Sequence, residues 1–287
     1  MEGKYLMTGG CNRSVQKDEG KNKRIEGNAA KRSGMYKKVL TWGTIVVILV
    51  FWMLVTSFQW VDPKLVPSPQ SVWIAFLDIA RNGYKNHTLF QHMGASLGRL
   101  MAAFLGAAAV AVPLGLLSGY NTGFRAVLEP IIEFYRPLPP LAYYTILVLW
   151  LGIGNASKIM LLFLACFAPV YISCVSAVMK IKEDDINSAY TMGANKRQVF
   201  FYVVFPACLP DLFTGLRTAL GVGYTTLVSA EMVAATSGLG WMVLDASRYF
   251  RSDIVFLGIL IMGITGVLLD RSIQLLERWL VPWKGKE

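Results

Sequence analysis

Apolar residues arrive in long uninterrupted blocks. Residues 39–61, 100–124, 137–157 and 159–179 each lack Asp, Glu, Lys and Arg. Each block is about long enough to cross a bilayer as a helix of roughly 20 residues. With the apolar stretches Asp211–Glu231 and Phe256–Leu269 they predict an all-α, polytopic membrane protein with six transmembrane helices. Val39–Phe58 reads as a retained first span, because it starts late for a signal peptide and no small-residue cleavage pattern follows it. Span two covers Leu100–Tyr120, with Pro113 as a kink and Gly115-xxx-Gly119 for close backbone approach to a neighbour. Span three occupies 126–151. Span four, Ile159–Met179, carries Pro169. No run of ten-residue segments alternates polar and apolar positions, which argues against a membrane barrel.

Polar stretches divide the blocks. Residues 1–38 are polar, basic and glycine-dotted, and are expected to form a disordered cytoplasmic tail. Residues 59–95 read as an external loop: Pro63, Pro67 and Pro69 break the chain, and VWIAFLDIA suggests a helix lying along the surface. His87 and His92 fall in this loop as solvated residues. ATSGLGWM, Ala235–Met242, reads as an irregular loop or re-entrant turn. Residues 96–280 make a five-helix core and 281–287 a short C-terminal tail.

The chain has 287 residues, 54% of them hydrophobic, and a net charge of +10. Its mean hydropathy of +0.46 excludes one soluble core wetted all round. The positive charge raises a nucleic-acid reading. Its placement opposes that reading, since the basic residues flank spans rather than line an aromatic groove. Lys31, Arg32, Lys37 and Lys38, with Arg271, Arg278, Lys284 and Lys286, instead hold both termini in the cytoplasm. Cys11, Cys166, Cys174 and Cys208 have no paired spacing and read as small apolar fillers. Two histidines five apart, with no cysteine nearby, predict no metal site.

The stretch from Glu183 to Pro206 is a polar island. Ile186, Ala189 and Tyr190 share one helical face, Gly193 interrupts, and Val199, Phe200 and Val203 point inward from a second short helix that Pro206 stops. Two short amphipathic helices bent at a glycine form a knob that another protein can grip. Span three is also unusual. Glu129, Glu133 and Arg136 share a face, and Pro137, Pro139 and Pro140 then remove ladder donors. A broken helix is tolerated in a membrane only beside protein or water. Charges inside spans are functional candidates by default. Glu133, Arg136, Arg217 and Glu231 are therefore assigned either to a translocation pathway or to buried ion pairs, for instance Arg136 with Glu133 or Glu231. In the first role an arginine would face an oxyanion, whose geometry its guanidinium matches. No GxxxxGK[ST] phosphate cradle occurs, and no nucleophile–base set, so no catalytic residue is assigned.

Asn187-Ser188-Ala189, then Gly193, then Val203-Val204-Phe205-Pro206 resembles the "EAA…G…I-x-LP" loop of importer permeases of the ATP-binding-cassette class. Ala189, Gly193 and Pro206 match, Val203 and Phe205 are apolar replacements, and Asn187 and Ser188 depart from the glutamate and first alanine. Tyr135–Lys158 and Gly215–Val243 look like the corresponding stretches of the taurine, aliphatic-sulfonate and nitrate branch, taurine permeases first. The resemblance implies a type I, MetI-like permease in a bacterial inner membrane. It implies import of a small sulfonate such as taurine, with another aliphatic sulfonate or nitrate as the alternative cargo. It implies as partners a second copy of the chain, two ATP-binding cassette subunits, an external substrate-binding protein and membrane lipid, with no nucleic acid. ATP and Mg would be used by the partner ATPase, with no cofactor on this chain. From the residues alone, an ion-gradient-driven secondary transporter with the buried acids as proton carriers remains the competing reading.

Overall fold

The computed structural model describes residues 39–284. The expected tail 1–38, Cys11 and Lys286 lie outside the described residues. The chain divides into two compact units, Met1–Pro63 and Lys64–Glu287. Within the first, Val39–Ser57 forms α1, whose 19 residues reach about 28 Å.

The second unit is helical throughout, with one isolated bridge between Tyr84 and His87 among the described residues. The expected surface helix is α2, Pro69–Asn82, with Ser68 as its N-cap and Pro69 at its start. The next helix, α3, spans Leu89–Tyr120 and opens well before the charge-free run at Leu100. Thr88 and Gln91 close a capping box at its start, so residues 89–95, expected in the external loop, are helical, and Arg99 sits well inside the helix.

Among the described residues five helices are long and apolar enough to cross a membrane, where six were expected. The expected third span is two shorter helices, α4 at Thr122–Tyr135 and α5 at Pro140–Leu151. Pro137, Pro139 and Pro140 supply no N–H and crowd the preceding carbonyls, so the ladder cannot continue through them. Then follow α6 (Asn155–Met179), α7 (Glu183–Thr191), α8 (Lys196–Val199), a π-turn at Phe200–Val204, α9 (Phe205–Ala234), α10 (Leu239–Arg248) and α11 (Ser252–Leu280).

The core lies where α6 meets α3 on one side and α9 on the other. Leu100, Ala107 and Ala111 of α3 pack with Leu162, Cys166 and Cys174 of α6 and with Ala219 and Leu227 of α9. A Cβ on Gly115 would collide with Cys174, and one on Gly119 with Val178, so the predicted glycine pair does bring two backbones together. These contacts, with Arg99 beside Asn155, make α3 and α6 run in the same direction. Gly223 against Cys166 and Gly215 against Ser173 make α9 run the opposite way. Cys166, Cys174 and Cys208 are free and buried, as fillers should be.

Candidate functional site

The bundle has two chemically different ends, with two adjoining cavities lined by residues between them. At one end the chain leaves α6 and forms the elbow. Glu183, Asp184 and Asp185 occupy the first turn of α7, where their charge favours the helix N-terminus. Ile186 and Ala189 turn inward onto the core, while Asn187 and Ser188 are exposed. The chain then reverses at Gly193, whose φ of +86° a side chain rarely adopts. Asn195 and Gln198 form a capping box that starts α8.

Pro206 does not stop the second helix. The turn at Phe200–Val204 widens, with the Phe205 N–H donating to the Phe200 carbonyl, and Pro206 enters the first turn of α9, where its missing donor is harmless. The widened turn also corrects the inward face. Val199 is buried, but the next buried residue is Val204, with Val203 only half-buried.

At the opposite end lies a buried polar network that joins four helices, α3, α6, α9 and α10. Glu231, near the end of α9, is 0% exposed, and Arg99 of α3 is 8% exposed. Arg99 Nη1 donates to Glu231 Oε1 at 2.7 Å. The Ser96 hydroxyl donates to the same carboxylate at 2.8 Å. Arg99 also donates to Asn155 Oδ1 at 2.8 Å and to the Ser237 carbonyl at 2.9 Å. The loop Ala235–Gly238 therefore folds onto this pair, and α10 begins directly above it. The Gly240 N–H donates to Glu231 Oε2 at 3.0 Å, the Leu239 N–H to Ser96 Oγ at 2.9 Å and the Gly238 N–H to His92 Nδ1 at 3.1 Å. A helix start that would otherwise bury orphan donors is thus satisfied by side chains, with an anion where the dipole favours one. Gly238 has φ +131°, and a Cβ there would strike the Glu231 carboxylate.

Three sequence expectations change here. Glu231 pairs with Arg99, not with Arg136. His92 is fully buried rather than solvated, stacking on Trp241 with ring centroids 5.7 Å apart. Arg217, on α9, is exposed and bridges Asp270 of α11. Ser96 and Arg99 were missed because they precede the charge-free run at Leu100, and His92 was placed in the loop 59–95. The Thr88-x-x-Gln91 capping box was the signal that the helix starts earlier.

Beside the network, at the surface, the Tyr84 hydroxyl donates to Asp245 Oδ2 at 2.7 Å, and Lys85 Nζ bridges the same carboxylate. Burial pushes the Asp245 carboxyl up, but the hydrogen bonds from Lys85 and Tyr84 outweigh it and hold the group below the usual carboxylate range.

Between the two ends, the broken segment leaves space. Arg136 continues the helical path of α4 by one residue and is exposed. It lines a cavity of about 360 Å³ with Tyr135, Tyr143, Ser173 and Thr218, and an adjoining one of about 280 Å³ with Glu133 and Tyr171. Neither Arg136 nor Glu133 forms an ion pair or side-chain hydrogen bond among the described residues, so the expected pairing of these two is absent. Glu129 pairs instead with Arg125, at 3.5 Å.

A helical bundle with apolar, membrane-length helices, cavities between them and an exposed elbow has the features of a transport permease. The comparisons narrow the class. Residues 111–282 match the family described as "Binding-protein-dependent transport system inner membrane component". The chain is 43% identical over 248 residues to the taurine transport system permease protein TauC of Escherichia coli, covering 86% of this chain and 90% of that protein. It is 31% identical over 255 residues to a putative aliphatic sulfonates transport permease protein, SsuC, of Bacillus subtilis, covering 89% of this chain and 90% of the relative. A solved structure of the inward-facing MetNI methionine transporter superposes with a TM-score of 0.60 at 17% identity, covering 67% of this chain and 95% of that one. The chain belongs to the binding-protein-dependent inner membrane component family, as the permease subunit of an ATP-binding-cassette importer with the MetI-like fold. Such a subunit is a multi-pass membrane protein that leaves ATP hydrolysis to separate subunits. The ion-gradient reading gives way to this assignment.

Proposed function

We propose that this permease carries a small sulfonate, taurine first, from an external binding protein into the cytoplasm. The observation that carries the cargo assignment is the 43% identity to a taurine permease over nearly the whole chain. The 31% identical aliphatic-sulfonate relative favours a second reading, a broader alkanesulfonate importer. Two copies pair in a bacterial inner membrane, with both termini, the tail 1–38 and the elbow on the cytoplasmic side. The network around Glu231 then faces outward.

Two ATP-binding cassette subunits sit beneath the elbow and use ATP and Mg. Asn187, Ser188 and Ala189 on α7 present the docking face, and Gly193 sets the bend. Val203 and Pro206, at the widened turn, fasten the elbow to α9. ATP binding closes the ATPase pair and pushes the elbow, and the helices follow as levers between two conformations. Of the charged candidates, Glu133 and Arg136 line the route, while Arg217 and Glu231 hold helices together.

The test is uptake of labelled taurine into proteoliposomes that contain the complete importer with its receptor. ATP depletion should stop uptake, and collapse of ion gradients should not. Gly193→Val should break coupling. Its strained backbone conformation costs about 1–3 kcal/mol, so the bend shifts and receptor-stimulated ATP hydrolysis drops. Uptake driven by a gradient alone, or full coupling in Gly193→Val, would count against the proposal.

A further inference from the structure

We infer that Arg136 and Glu133 form a single site that reads a zwitterion, an aminosulfonate, and rejects sulfonates that lack an amine. The inference rests on the importer reading above and deepens it to a substrate class.

Arg136 lies where two cavities meet. Ile172 of α6 lines both, about 10 Å from the end of that helix by its rise per residue. The site is thus within the membrane, where an uncompensated charge is expensive. Two opposite charges occur there without partners among the described residues. They are three positions apart on a continuous helical path, so their Cβ atoms sit about 5–6 Å apart. Neighbours at that spacing normally pair, and Arg125 and Glu129 on the same helix do. Glu133 and Arg136 do not: Arg136 borders both cavities and Glu133 only the smaller one, with no ion pair between the two charges.

The hydroxyls make the second, independent observation. Tyr135 and Tyr171 both carry hydroxyl oxygens that are buried and have no hydrogen-bond partner. Tyr171 is only 2% exposed. Tyr135 lines the cavity of Arg136 and Ser173, and Tyr171 lines the adjoining cavity of Glu133. Buried hydroxyls are almost always bonded, so two orphans beside two unpaired charges mark a place built for a polar guest.

The charges dictate the guest. A sulfonate takes two parallel hydrogen bonds from a guanidinium and one from a phenol. An ammonium two carbons away then reaches the Glu133 carboxylate and the Tyr171 oxygen, an acceptor. Nitrate or a plain alkanesulfonate would satisfy Arg136 but leave Glu133 facing apolar carbon or another anion. The unpaired carboxylate is the rejecting element.

The test is calorimetric binding of taurine and ethanesulfonate to the purified, nucleotide-free full importer without its receptor, beside ATP-driven taurine uptake by the same preparation once it is reconstituted in proteoliposomes with the receptor. Taurine should bind tighter than ethanesulfonate by about tenfold to a hundredfold, the worth of one charge-assisted hydrogen bond. Glu133→Gln should close that gap by weakening taurine alone. Tyr171→Phe, a gentler change, should narrow it in the same direction. Equal binding of the two ligands to the wild type, or a gap that survives Glu133→Gln, overturns the zwitterion site. Loss of the gap together with unchanged ethanesulfonate binding supports it. Selective taurine binding with no ATP-driven uptake would overturn the importer reading and leave the site standing.

Discussion

The two ends of α9 hold their charges in opposite ways. Near its close, Glu231 meets Arg99 out of reach of water, with every carboxylate oxygen bonded. Near its start, Asp211 meets Lys180 in the open, with side chains 39% and 64% exposed. Arg217 and Asp270 are similarly accessible. A buried pair cannot be loosened piecemeal, because removing one partner strands the other in a medium that does not solvate it. An exposed pair exchanges with water at little cost. The molecule is therefore clamped where α10 rests on the bundle and adjustable where the elbow attaches. The proposed coupling, in which the elbow is pushed by a partner, would use that division.

The comparison breaks most severely at Glu231. Glu231→Ala should destabilise the bundle by about 3–5 kcal/mol, visible as a large drop in thermal unfolding temperature in detergent. An unchanged transition would mean the network is not a clamp. Replacing both Glu231 and Arg99 with apolar residues should restore much of the loss. Next in size is Gly238→Ala, where a backbone at φ +131° and the carboxylate beneath both resist a side chain; about 1–3 kcal/mol is expected from the same measurement.

Smaller still is a pH effect at the rim of the clamp. Asp245 has a depressed folded-state pKa, so its stabilisation is complete above the ordinary carboxylate range and fades as pH falls through the lower folded value. The acid side of the stability profile should flatten in Asp245→Asn and stay unchanged near neutrality apart from a constant offset. Smallest is Lys180→Ala at the elbow end, where about 0–1 kcal/mol is expected. A loss as large as that of Glu231→Ala would erase the contrast between the ends.

Much of this was legible in the residues. The apolar blocks, the break after Tyr135, the glycine contacts of α3 and the bend at Gly193 all follow from local rules of length, missing donors and missing side chains. What stayed hidden was long-range or depended on one extra residue. Arg99 and Glu231 are 132 positions apart, and nothing in a sequence pairs them. Arg99 closed off an apolar run, so it looked like a boundary, whereas burial beside a carboxylate lets an arginine sit within the helix. Pro206 read as a stop because a regular α-helix was assumed. The gap of five between the buried residues 199 and 204 emerges only from the structure, because the apolar run 199–205 fits either helix type.

That widened turn gives α9 something an ordinary helix lacks. One surplus residue is held in the turn: shifting it along would exchange a single hydrogen bond and swivel the residue it passes by about 100°. A shift of that kind would let the elbow twist on its stalk without unwinding it. Deleting Tyr202 would leave a plain helix in the same phase, still folded but stripped of its swivel.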